Sequence, residues 1–267
     1  MTEVCAVVLA AGEGRRLRPL TERVPKALCP VGNVPLLDLA LARVAAAGIS
    51  AIAVNAWYLA DQVVAAVGDR AYLSVETGPQ PLGTSGGVAR LRDWIAGRGV
   101  LVANSDAYLA GGDLGALLDG WDGESTRLLG IEAERPEFGR YRFAGCSLLP
   151  WSRVAGLAEE PTDLVRTVWR PAERAGELTV VAYAGTYLDT GTPHDYLAAN
   201  LHAAGPDGLL VAADAILTGR AEQAVIGAQA RVDGSVKRCV VWPDAEVRRD
   251  EDLVDAIRYG RSGTVAG

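Results

Sequence analysis

A glycine-rich segment near the amino terminus carries the strongest chemical signal in this sequence. Gly12 and Gly14 follow an apolar run, and glycine at these positions lets backbone N–H groups approach phosphate oxygens without obstruction. Arg16 comes two residues later, and Lys26 closes the segment. A guanidinium can grip two phosphate oxygens, whereas an ammonium supplies a compact point charge from another direction. Cations of two geometries beside a glycine loop are typical of a polyphosphate site.

Two other interpretations of this segment compete with phosphate binding. The glycines alone fit an ordinary turn after a strand equally well, and only the whole segment 9–28 favours a phosphate site. A dinucleotide-binding fingerprint would need a third glycine at position 17 and a helix through position 19. Those positions hold Leu17 and Pro19, and proline interrupts a helix. The pattern therefore disfavours an NAD-linked oxidoreductase.

Alternating strands and helices are expected to position these residues. Apolar runs predict strands at 4–9, 51–54, 73–75 and 100–103, and helical spacing predicts helices at 36–44, 59–67 and 88–95. Such alternation predicts a parallel sheet with helices on both faces. Because ligands bind at the carboxyl ends of strands in open sheets, the Gly12 loop, the segment after Val75 and Asp106 are expected at one edge.

The sequence changes character after Pro206. Apolar residues stand six apart at Ile226 and Val232, and again at Val241, Val247 and Leu253, with a slip of phase between the two groups. This period predicts a short β-helix, with a β-hairpin extension as the alternative. We therefore predict a division into residues 1–205 and 206–267. The exposed edges of a short β-helix also favour pairing with another subunit, so a homo-oligomer is a further expectation.

The motifs place the sequence close to a known family. They are LAAGEGRRLRPLTERVPKAL at 9–28, PLGTSGGV at 81–88, VLVANSDAYL at 100–109, FAGCSLLP at 143–150 and YLDTGTPHDYLAANL at 187–201. In these motifs the sequence resembles the sugar-1-phosphate nucleotidylyltransferases, or nucleoside-diphosphate-sugar pyrophosphorylases. The resemblance implies an α/β, Rossmann-like nucleotidyltransferase domain with a mixed, mainly parallel sheet and a short, left-handed β-helix-like appendage.

The same resemblance implies an activity. The expected reaction joins a nucleoside triphosphate and a sugar 1-phosphate into a nucleotide sugar and pyrophosphate. Mannose-1-phosphate guanylyl transfer and glucose-1-phosphate uridylyl or thymidylyl transfer are the examples considered. A non-catalytic homologue that binds nucleotide sugars and regulates a partner is the alternative. The presence of Arg16, Lys26, Asp106 and Asp189 together favours the enzyme, because binding alone would not require all four.

The resemblance also assigns roles to individual residues. Its nucleotide-binding positions match Ala10, Ala11, Gly12, Gly14, Arg16, Gln80, Gly83 and Thr84, with Glu76 as an alternative to Gln80 for reading the base. Its catalytic positions match Arg16, Lys26 and Asp106, and its substrate-binding positions match Asn104, Gly145, Arg140 and Arg142. Its metal-binding aspartates match Asp106 and Asp189, which implies Mg²⁺ as the cofactor.

Two departures from the family pattern have chemical consequences. Ser105 stands where the family often has glycine, a small change that should leave Asp106 in place. The lysine that commonly binds the sugar phosphate is missing, since Lys26 and Lys237 are the only lysines in the sequence. The matching stretch instead contains three arginines, namely Arg135, Arg140 and Arg142. We expect one of them to replace the lysine.

Composition excludes several other classes of protein. The formal net charge of −7 argues against binding along a nucleic acid or on an anionic membrane. The four scattered cysteines fit neither a disulfide framework nor a zinc ribbon and are expected to be buried thiols. No apolar stretch reaches the ~18 residues of a membrane helix, and the amino terminus does not resemble a signal peptide. A cytoplasmic location is therefore expected.

Overall fold

The computed structural model describes residues 3–267, which form nineteen strands and eight α-helices. The strands are β1 (Val4–Leu9), β2 (Pro30–Val31), β3 (Val34–Pro35), β4 (Ile52–Ala56), β5 (Tyr72–Val75), β6 (Gly99–Asn104), β7 (Ala107–Ala110), β8 (Thr126–Glu132), β9 (Tyr141–Leu149), β10 (Leu178–Ala182), β11 (Thr186–Asp189), β12 (Leu209–Val211), β13 (Ile216–Leu217), β14 (Arg220–Ile226), β15 (Arg231–Val232), β16 (Ser235–Val241), β17 (Glu246–Val247), β18 (Asp252–Tyr259) and β19 (Gly263–Ala266). The α-helices are α1 (Leu36–Ala46), α2 (Ala60–Val67), α3 (Gly83–Arg90), α4 (Arg92–Ile95), α5 (Gly115–Leu118), α6 (Trp151–Val154), α7 (Arg170–Arg174) and α8 (Pro193–Ala203). Short 3-10 turns lie at Arg15–Leu17, Leu20–Glu22 and Lys26–Leu28, and a π-helical turn lies at Val165–Trp169.

Contacts within the chain define two compact units. The first comprises residues up to Glu13 together with Leu37–Tyr187, and the second comprises Gly14–Leu36 together with Leu188–Gly267. The predicted boundary lies at residue 205, whereas in the structure α8 belongs to the second unit with the carboxyl-terminal strands. The reason is tertiary packing, since the indole N–H of Trp242 donates to the Tyr196 hydroxyl of α8 at 3.1 Å.

A seven-stranded sheet forms the centre of the first unit, in the order β10-β8-β9-β6-β1-β4-β5. Strands β6, β1, β4 and β5 run parallel to one another, β10 runs parallel to β8, and β9 is antiparallel to both its neighbours. The apolar residues from Cys5 to Val8 in β1 are fully buried, as expected for a strand covered on both faces. The predicted α/β fold with a mixed, mainly parallel sheet is confirmed.

The carboxyl ends of four strands are aligned at one edge of this sheet. Leu9 of β1 pairs with Asn104 of β6 on one side and with Asn55 of β4 on the other. At the next strand, Ala56 of β4 pairs with Val75 of β5. The loops that follow these strands therefore leave the first unit side by side, at the edge where open α/β sheets bind ligands.

The predicted helix at 88–95 differs from the structure. Helix α3 begins earlier, at Gly83, and the helical segment breaks at Leu91 before α4 begins. Glycine has a low helix propensity and adds no apolar side chain to the pattern. The first turns of α3, which are rich in glycine, are therefore not predicted from apolar spacing. Tertiary contacts compensate, because the Ser85 amide donates to the Thr162 carbonyl at 3.1 Å and the Thr162 amide donates to the Leu82 carbonyl at 3.1 Å.

Parallel coils of β-strand make up most of the second unit. Strands β12, β14, β16 and β18 pair in parallel, and β13, β15 and β17 form a second parallel ladder. This arrangement confirms the β-helix-like organisation predicted for the carboxyl-terminal segment. Only the last pair, β18 with β19, is antiparallel within the described residues of this ladder, and it resembles the hairpin alternative.

The fifteen-residue coil explains the slip in the six-residue period, because fifteen is not a multiple of six. Ile226 pairs with Val241, fifteen positions later, and Val241 pairs with Arg258, seventeen positions later. Gln223, Arg238 and Asp255 adopt positive φ values of 49°, 52° and 47° at equivalent points of β14, β16 and β18. Each such residue bends its strand into a corner. Residues six apart, such as Ile226 and Val232, lie on successive strands β14 and β15 of one coil, and the next coil begins at Val241, nine residues after Val232.

The cysteines and helices agree with the expectations from composition. All four cysteines are buried free thiols, and burial raises the pKa of Cys29 and of Cys146 to about 12. Such thiols are inert packing groups, as predicted. Within residues 3–267, no helix has the length and apolar character needed to cross a membrane.

Candidate active site

The cation-bearing segment folds into a compact series of turns at the start of the second unit. Gly14 has φ +62°, and a Cβ there would lie 2.9 Å from Thr21 Cγ2 and 3.0 Å from Lys26 Cβ. The Thr21 hydroxyl donates to the Gly14 carbonyl at 2.8 Å, and Leu17 and Leu20 are buried beneath the turns. Gly14 is therefore required by the close packing of this segment as well as by its backbone conformation.

Three of the predicted catalytic and metal-binding residues converge within the second unit. Arg16 Nη2 lies 3.8 Å from Asp189 Oδ2, and Lys26 Nζ lies 4.0 Å from Asp189 Oδ1. The Arg16 side chain is 69% exposed, whereas the Lys26 side chain is only 9% exposed. A Cβ at Gly191 would come within 2.6 Å of Arg16 Nη2, so glycine in this turn permits the close approach. Two cations thus flank one carboxylate at a point where phosphate charge could be neutralised.

Gly12 differs from Gly14 in its surroundings, and the difference predicts separable effects of mutation. Among residues 3–267, nothing lies within 4 Å of a Cβ built on Gly12. We expect Gly12→Ala to keep the free energy of unfolding within about 0.5 kcal/mol of the wild type. It should nevertheless raise KM for the nucleoside triphosphate at least tenfold, about 1.4 kcal/mol, because a methyl group blocks the approach of phosphate oxygens.

Gly14→Ala supplies the matched comparison. Its positive φ and its contact with Thr21 should cost about 1–2 kcal/mol of stability, measured by urea unfolding. Equal stability losses in the two variants would contradict the assignment of Gly12 to ligand approach.

The loop that carries Asp106 is tied to the end of β1 within the first unit. The Ser105 amide and hydroxyl both donate to the Leu9 carbonyl, at 3.1 Å and 2.7 Å. Ser105 is the position where the resembled family often has glycine. Its hydroxyl therefore adds a hydrogen bond that glycine could not make, and Asp106 follows directly after the paired ends of β1 and β6.

The carboxylates predicted to bind Mg²⁺ belong to different units, Asp106 to the first and Asp189 to the second. Mg²⁺ commonly uses one or two carboxylates and completes its shell with water and substrate phosphates. Within the described part of the chain, no group of three or more His, Cys, Asp or Glu side chains could hold a metal by itself. Carboxylate oxygens are ligands that suit Mg²⁺, and the assignment of Asp106 and Asp189 to the ion stays a prediction.

Of the residues predicted to bind the base, one is exposed and two contact other parts of the protein. Gln80 is exposed. Gly83 has φ +70°, and a Cβ there would collide with the Thr162 carbonyl oxygen. The Thr84 hydroxyl accepts a hydrogen bond from the Leu164 amide at 2.9 Å, so it helps to hold α3 in place.

Glu76, the alternative base reader, faces the interior. It is only 4% exposed, and its two oxygens accept from Asn55 Nδ2 and the Leu82 amide, both at 2.8 Å. Gln80 is therefore better placed to meet a base. Sequence reasoning missed Asn55, whose Oδ1 accepts from the Ala10 amide at 2.8 Å. The available signal was an asparagine near the end of an apolar strand. Ala10 and its neighbour Ala11 are both buried.

Gly145 and Arg142 both lie near Tyr187 in the first unit. Gly145 has φ +81°, and its missing side chain makes room for Ala107, the residue after Asp106. The Tyr187 ring lies 3.9 Å from the position of a Gly145 Cβ, and Arg142 Cζ is 5.9 Å from the centre of that ring. The structure therefore groups Arg142 with the strand that follows Asp106.

Arg140 points to a different environment. Its Nε lies 3.2 Å from Glu132 Oε1, and its Nη2 donates to the Tyr141 hydroxyl at 2.9 Å. Arg135 is exposed in the hairpin loop between β8 and β9. Of the arginines predicted to replace the missing lysine, Arg142 is therefore the best placed.

Arg142 is expected to carry the charge that orients the sugar phosphate. Arg142→Ala should raise KM for the sugar phosphate at least tenfold, about 1.4 kcal/mol, and leave KM for the triphosphate nearly unchanged. Arg140→Ala is the matched control and should change neither constant by more than about twofold, because its ion pair is solvent-exposed. Initial rates with each substrate varied in turn decide the question. A normal KM in Arg142→Ala would show that the contact comes from elsewhere.

Comparisons with known proteins agree with this arrangement. A mannose-1-phosphate guanylyltransferase of Mycobacterium tuberculosis is 40% identical over a match that covers 44% of this chain and 33% of that protein. An N-acetylmuramate alpha-1-phosphate uridylyltransferase of Caulobacter vibrioides is 30% identical over 73% of this chain and 94% of that protein. Three relatives that are 40% identical to this chain, including the M. tuberculosis protein, are matched over only 33%, 46% and 31% of their own lengths.

A solved structure and a family pattern extend the comparison. A crystal structure from Bacillus anthracis, described as a putative glucose-1-phosphate thymidylyltransferase in complex with sucrose, matches 76% of this chain and 96% of that chain with a TM-score of 0.65. At 18% identity this likeness supports the fold alone. The sequence pattern of the family described as nucleotidyl transferase matches residues 5–163, which is more than half of the chain. This match spans the strand edge that carries the Gly12 loop and Asp106, and it shows that the chain belongs to the nucleotidyl transferase family.

Proposed function

We propose that this protein transfers a nucleotidyl group from a nucleoside triphosphate to a sugar 1-phosphate and releases pyrophosphate. The observation that carries the proposal is the approach of Arg16 and Lys26 to a single carboxylate, Asp189. A site with paired cations and one carboxylate can neutralise a polyphosphate and stabilise charge that shifts within it. Membership of the nucleotidyl transferase family supports this choice.

The reaction needs no general base. A phosphate oxygen of the sugar 1-phosphate is already anionic, and it forms the new bond to the α-phosphorus of the triphosphate. The bond between the α-phosphorus and the bridging oxygen breaks, and that oxygen leaves with its electron pair as part of pyrophosphate. Catalysis then depends on aligning the two substrates and on neutralising charge as it moves to the leaving group.

Arg16 and Lys26 would have different roles according to the exposure of their side chains. Arg16 is largely exposed, so its planar guanidinium can grip two oxygens of the leaving pyrophosphate. Lys26 is buried, so its ammonium acts in a surrounding of low dielectric, where a point charge is most effective. We assign Lys26 to the α-phosphate, where bonds change.

Asp106 and Asp189 would hold Mg²⁺ together with the triphosphate. When bound, Mg²⁺ supplies charge neutralisation on the phosphate oxygens and helps to orient the leaving group. Asp189 lies beside Arg16 and Lys26, and the loop before Asp106 is held by the Ser105 hydrogen bonds to Leu9.

The relatives suggest which substrates to test first. The C. vibrioides relative, matched over nearly its whole length, is a uridylyltransferase for N-acetylmuramate alpha-1-phosphate, and the M. tuberculosis relative is a guanylyltransferase for mannose 1-phosphate. We propose that the substrates are of these classes. The four free thiols agree with a reducing cytoplasm as the site of reaction.

Pyrophosphate release from a panel of substrate pairs tests the proposal. UTP, GTP, dTTP, ATP and CTP are each combined with N-acetylmuramate, mannose and glucose 1-phosphates, with and without Mg²⁺. We expect one base and one sugar phosphate to give rates well above those of reactions without sugar phosphate. Nucleotide-sugar binding without pyrophosphate release from any pair would instead support the regulatory alternative. Release without sugar phosphate would indicate a hydrolase.

A further inference from the structure

A buried hydrogen-bond chain crosses the first unit beneath the loops at the strand ends. The Ala10 amide donates to Asn55 Oδ1, Asn55 Nδ2 donates to Glu76 Oε1, and the Leu82 amide donates to Glu76 Oε2. Each of the three donor–acceptor distances is 2.8 Å. Asn55 is 1% exposed and Glu76 is 4% exposed. We call these four residues the Asn55–Glu76 relay.

The chemistry of its members gives the relay a single direction. A backbone N–H such as that of Ala10 can only donate, and an ionised carboxylate such as Glu76 can only accept. The Asn55 amide fits between them in one orientation, with its oxygen toward Ala10 and its nitrogen toward Glu76. Both carboxylate oxygens of Glu76 are therefore engaged by the protein itself.

A carboxylate in this position is costly for a merely structural role. Among residues 3–267, no ion pair includes Glu76, so its charge is held by neutral donors in a buried setting. Burying a charge without an opposite charge is unfavourable, and apolar side chains could fill the same space at lower cost. The carboxylate supplies two hydrogen-bond acceptors at a fixed separation. One binds Asn55 of β4, and the other binds the Leu82 amide in the loop before α3.

Packing around the relay leaves little freedom for the loops that it joins. A Cβ on Gly87 of α3 would lie 2.7 Å from Asn55 Nδ2 and 3.3 Å from Glu76 Oε1, so the helix rests directly on the relay. At one end, Ala10 leads into the Gly12 loop. At the other end, Leu82 immediately precedes Gly83, where α3 begins. The relay therefore links the Gly12 loop, which is predicted to bind phosphate and is called the phosphate loop below, to the segment expected to meet the base.

We propose that Asn55 and Glu76 are positioning residues that hold the phosphate loop and the base-reading segment at the separation of one nucleotide. This inference rests on the proposed function, because it takes a nucleoside triphosphate as the ligand. A ligand held at both ends benefits from a high effective concentration at the second contact only when the two contacts are correctly spaced. Breaking the relay should then weaken binding of a whole nucleotide more than binding of its phosphate part.

A polarity exchange within the relay provides a stringent test. Asn55→Asp places two carboxylate oxygens against each other, and Glu76→Gln leaves one donor facing another donor in either orientation of the new amide. The double variant Asn55→Asp, Glu76→Gln restores all three hydrogen bonds. In it the introduced aspartate accepts from Ala10 and from the amide nitrogen of the introduced glutamine, whose oxygen accepts from Leu82. The double variant also keeps one carboxylate in the pair.

Dissociation constants for the preferred nucleoside triphosphate and for inorganic tripolyphosphate are measured by calorimetry for all four proteins. We expect each single variant to bind the nucleotide at least tenfold more weakly and the double variant to return within threefold of the wild type. Tripolyphosphate binding should change by less than threefold throughout. Trp57→Phe is the control, since it removes a 2.8 Å hydrogen bond to the Gly78 carbonyl in the same loop but outside the relay, and it should bind nucleotide within threefold of the wild type.

Several outcomes would overturn the inference. These are a double variant that binds no better than the single variants, an equal loss of tripolyphosphate affinity, or an equal loss in Trp57→Phe. If a single variant fails to fold, the double variant still decides, because the inference requires it to fold and to bind. A wild-type protein that binds nucleotide but releases no pyrophosphate would contradict the proposed function and leave this test intact. A wild-type protein that binds no triphosphate would contradict both.

Discussion

Replacing Lys26 by alanine should lower kcat by about 10²–10³-fold, which corresponds to ~2.7–4 kcal/mol of transition-state stabilisation. The ammonium is nearly buried and lies 4.0 Å from Asp189, so solvent and neighbouring flexible cations cannot easily replace its charge. Steady-state pyrophosphate release gives the measurement. Lys237→Ala is the matched control, because it removes the chain's other lysine, an exposed residue that pairs with Glu222 in the β-helix-like segment.

Lys26→Arg should be nearly as damaging as Lys26→Ala, although it keeps the positive charge. A guanidinium is wider and directional. The Lys26 side chain is only 9% exposed, so a bulkier head group has little open space to enter. If the arginine variant kept more than about half of the wild-type activity, any cation would suffice and the specific role of the ammonium would be wrong. Circular dichroism and urea unfolding of both variants separate a catalytic effect from loss of the fold.

Asp106→Asn should lower turnover by about 100-fold or more, equivalent to about 2.7 kcal/mol of barrier. The substitution preserves volume and removes the negative charge that we assign to Mg²⁺. The hydrogen bonds of Ser105 to Leu9 do not involve this carboxylate, so the loop should keep its position. The Mg²⁺ concentration that gives half-maximal activity should rise in the same variant.

Asp113→Asn is the matched control for the metal assignment. Asp113 is an exposed aspartate whose Oδ1 accepts from the Gly115 amide at 2.8 Å, and an asparagine oxygen can accept the same bond. Its turnover and Mg²⁺ dependence should equal those of the wild type. Near-normal turnover of Asp106→Asn at limiting Mg²⁺ would refute the metal role of Asp106.

Much of the fold could be predicted because strong local patterns encode it. The run Val4–Leu9 is a strand with the predicted bounds, and the helix beginning at Leu36 follows its apolar spacing. Patterns failed where glycines replaced apolar residues, as in α3, and where a residue inside a strand has positive φ, as at Arg238. In both cases contacts between distant segments supply the stability that local preference lacks.

Residue types and their spacing indicate the chemistry of the candidate site. The segment with Gly12, Gly14, Arg16 and Lys26, the only lysine in the first two hundred residues, is where phosphate binding is predicted. This assignment stays a prediction, since residue type and short spacing indicate only which groups could meet phosphate. The same reasoning could not rank Arg140 against Arg142, because their types and positions in the chain are nearly equivalent.

The tertiary structure gives these side chains their surroundings. It pairs Arg140 with Glu132, groups Arg142 with Tyr187, and turns Glu76 inward onto Asn55 and Leu82. The physical reason is that burial and hydrogen bonding depend on partners contributed by other strands and loops. A buried polar group must be satisfied by whatever the fold places beside it, and that neighbour is not encoded within its own segment.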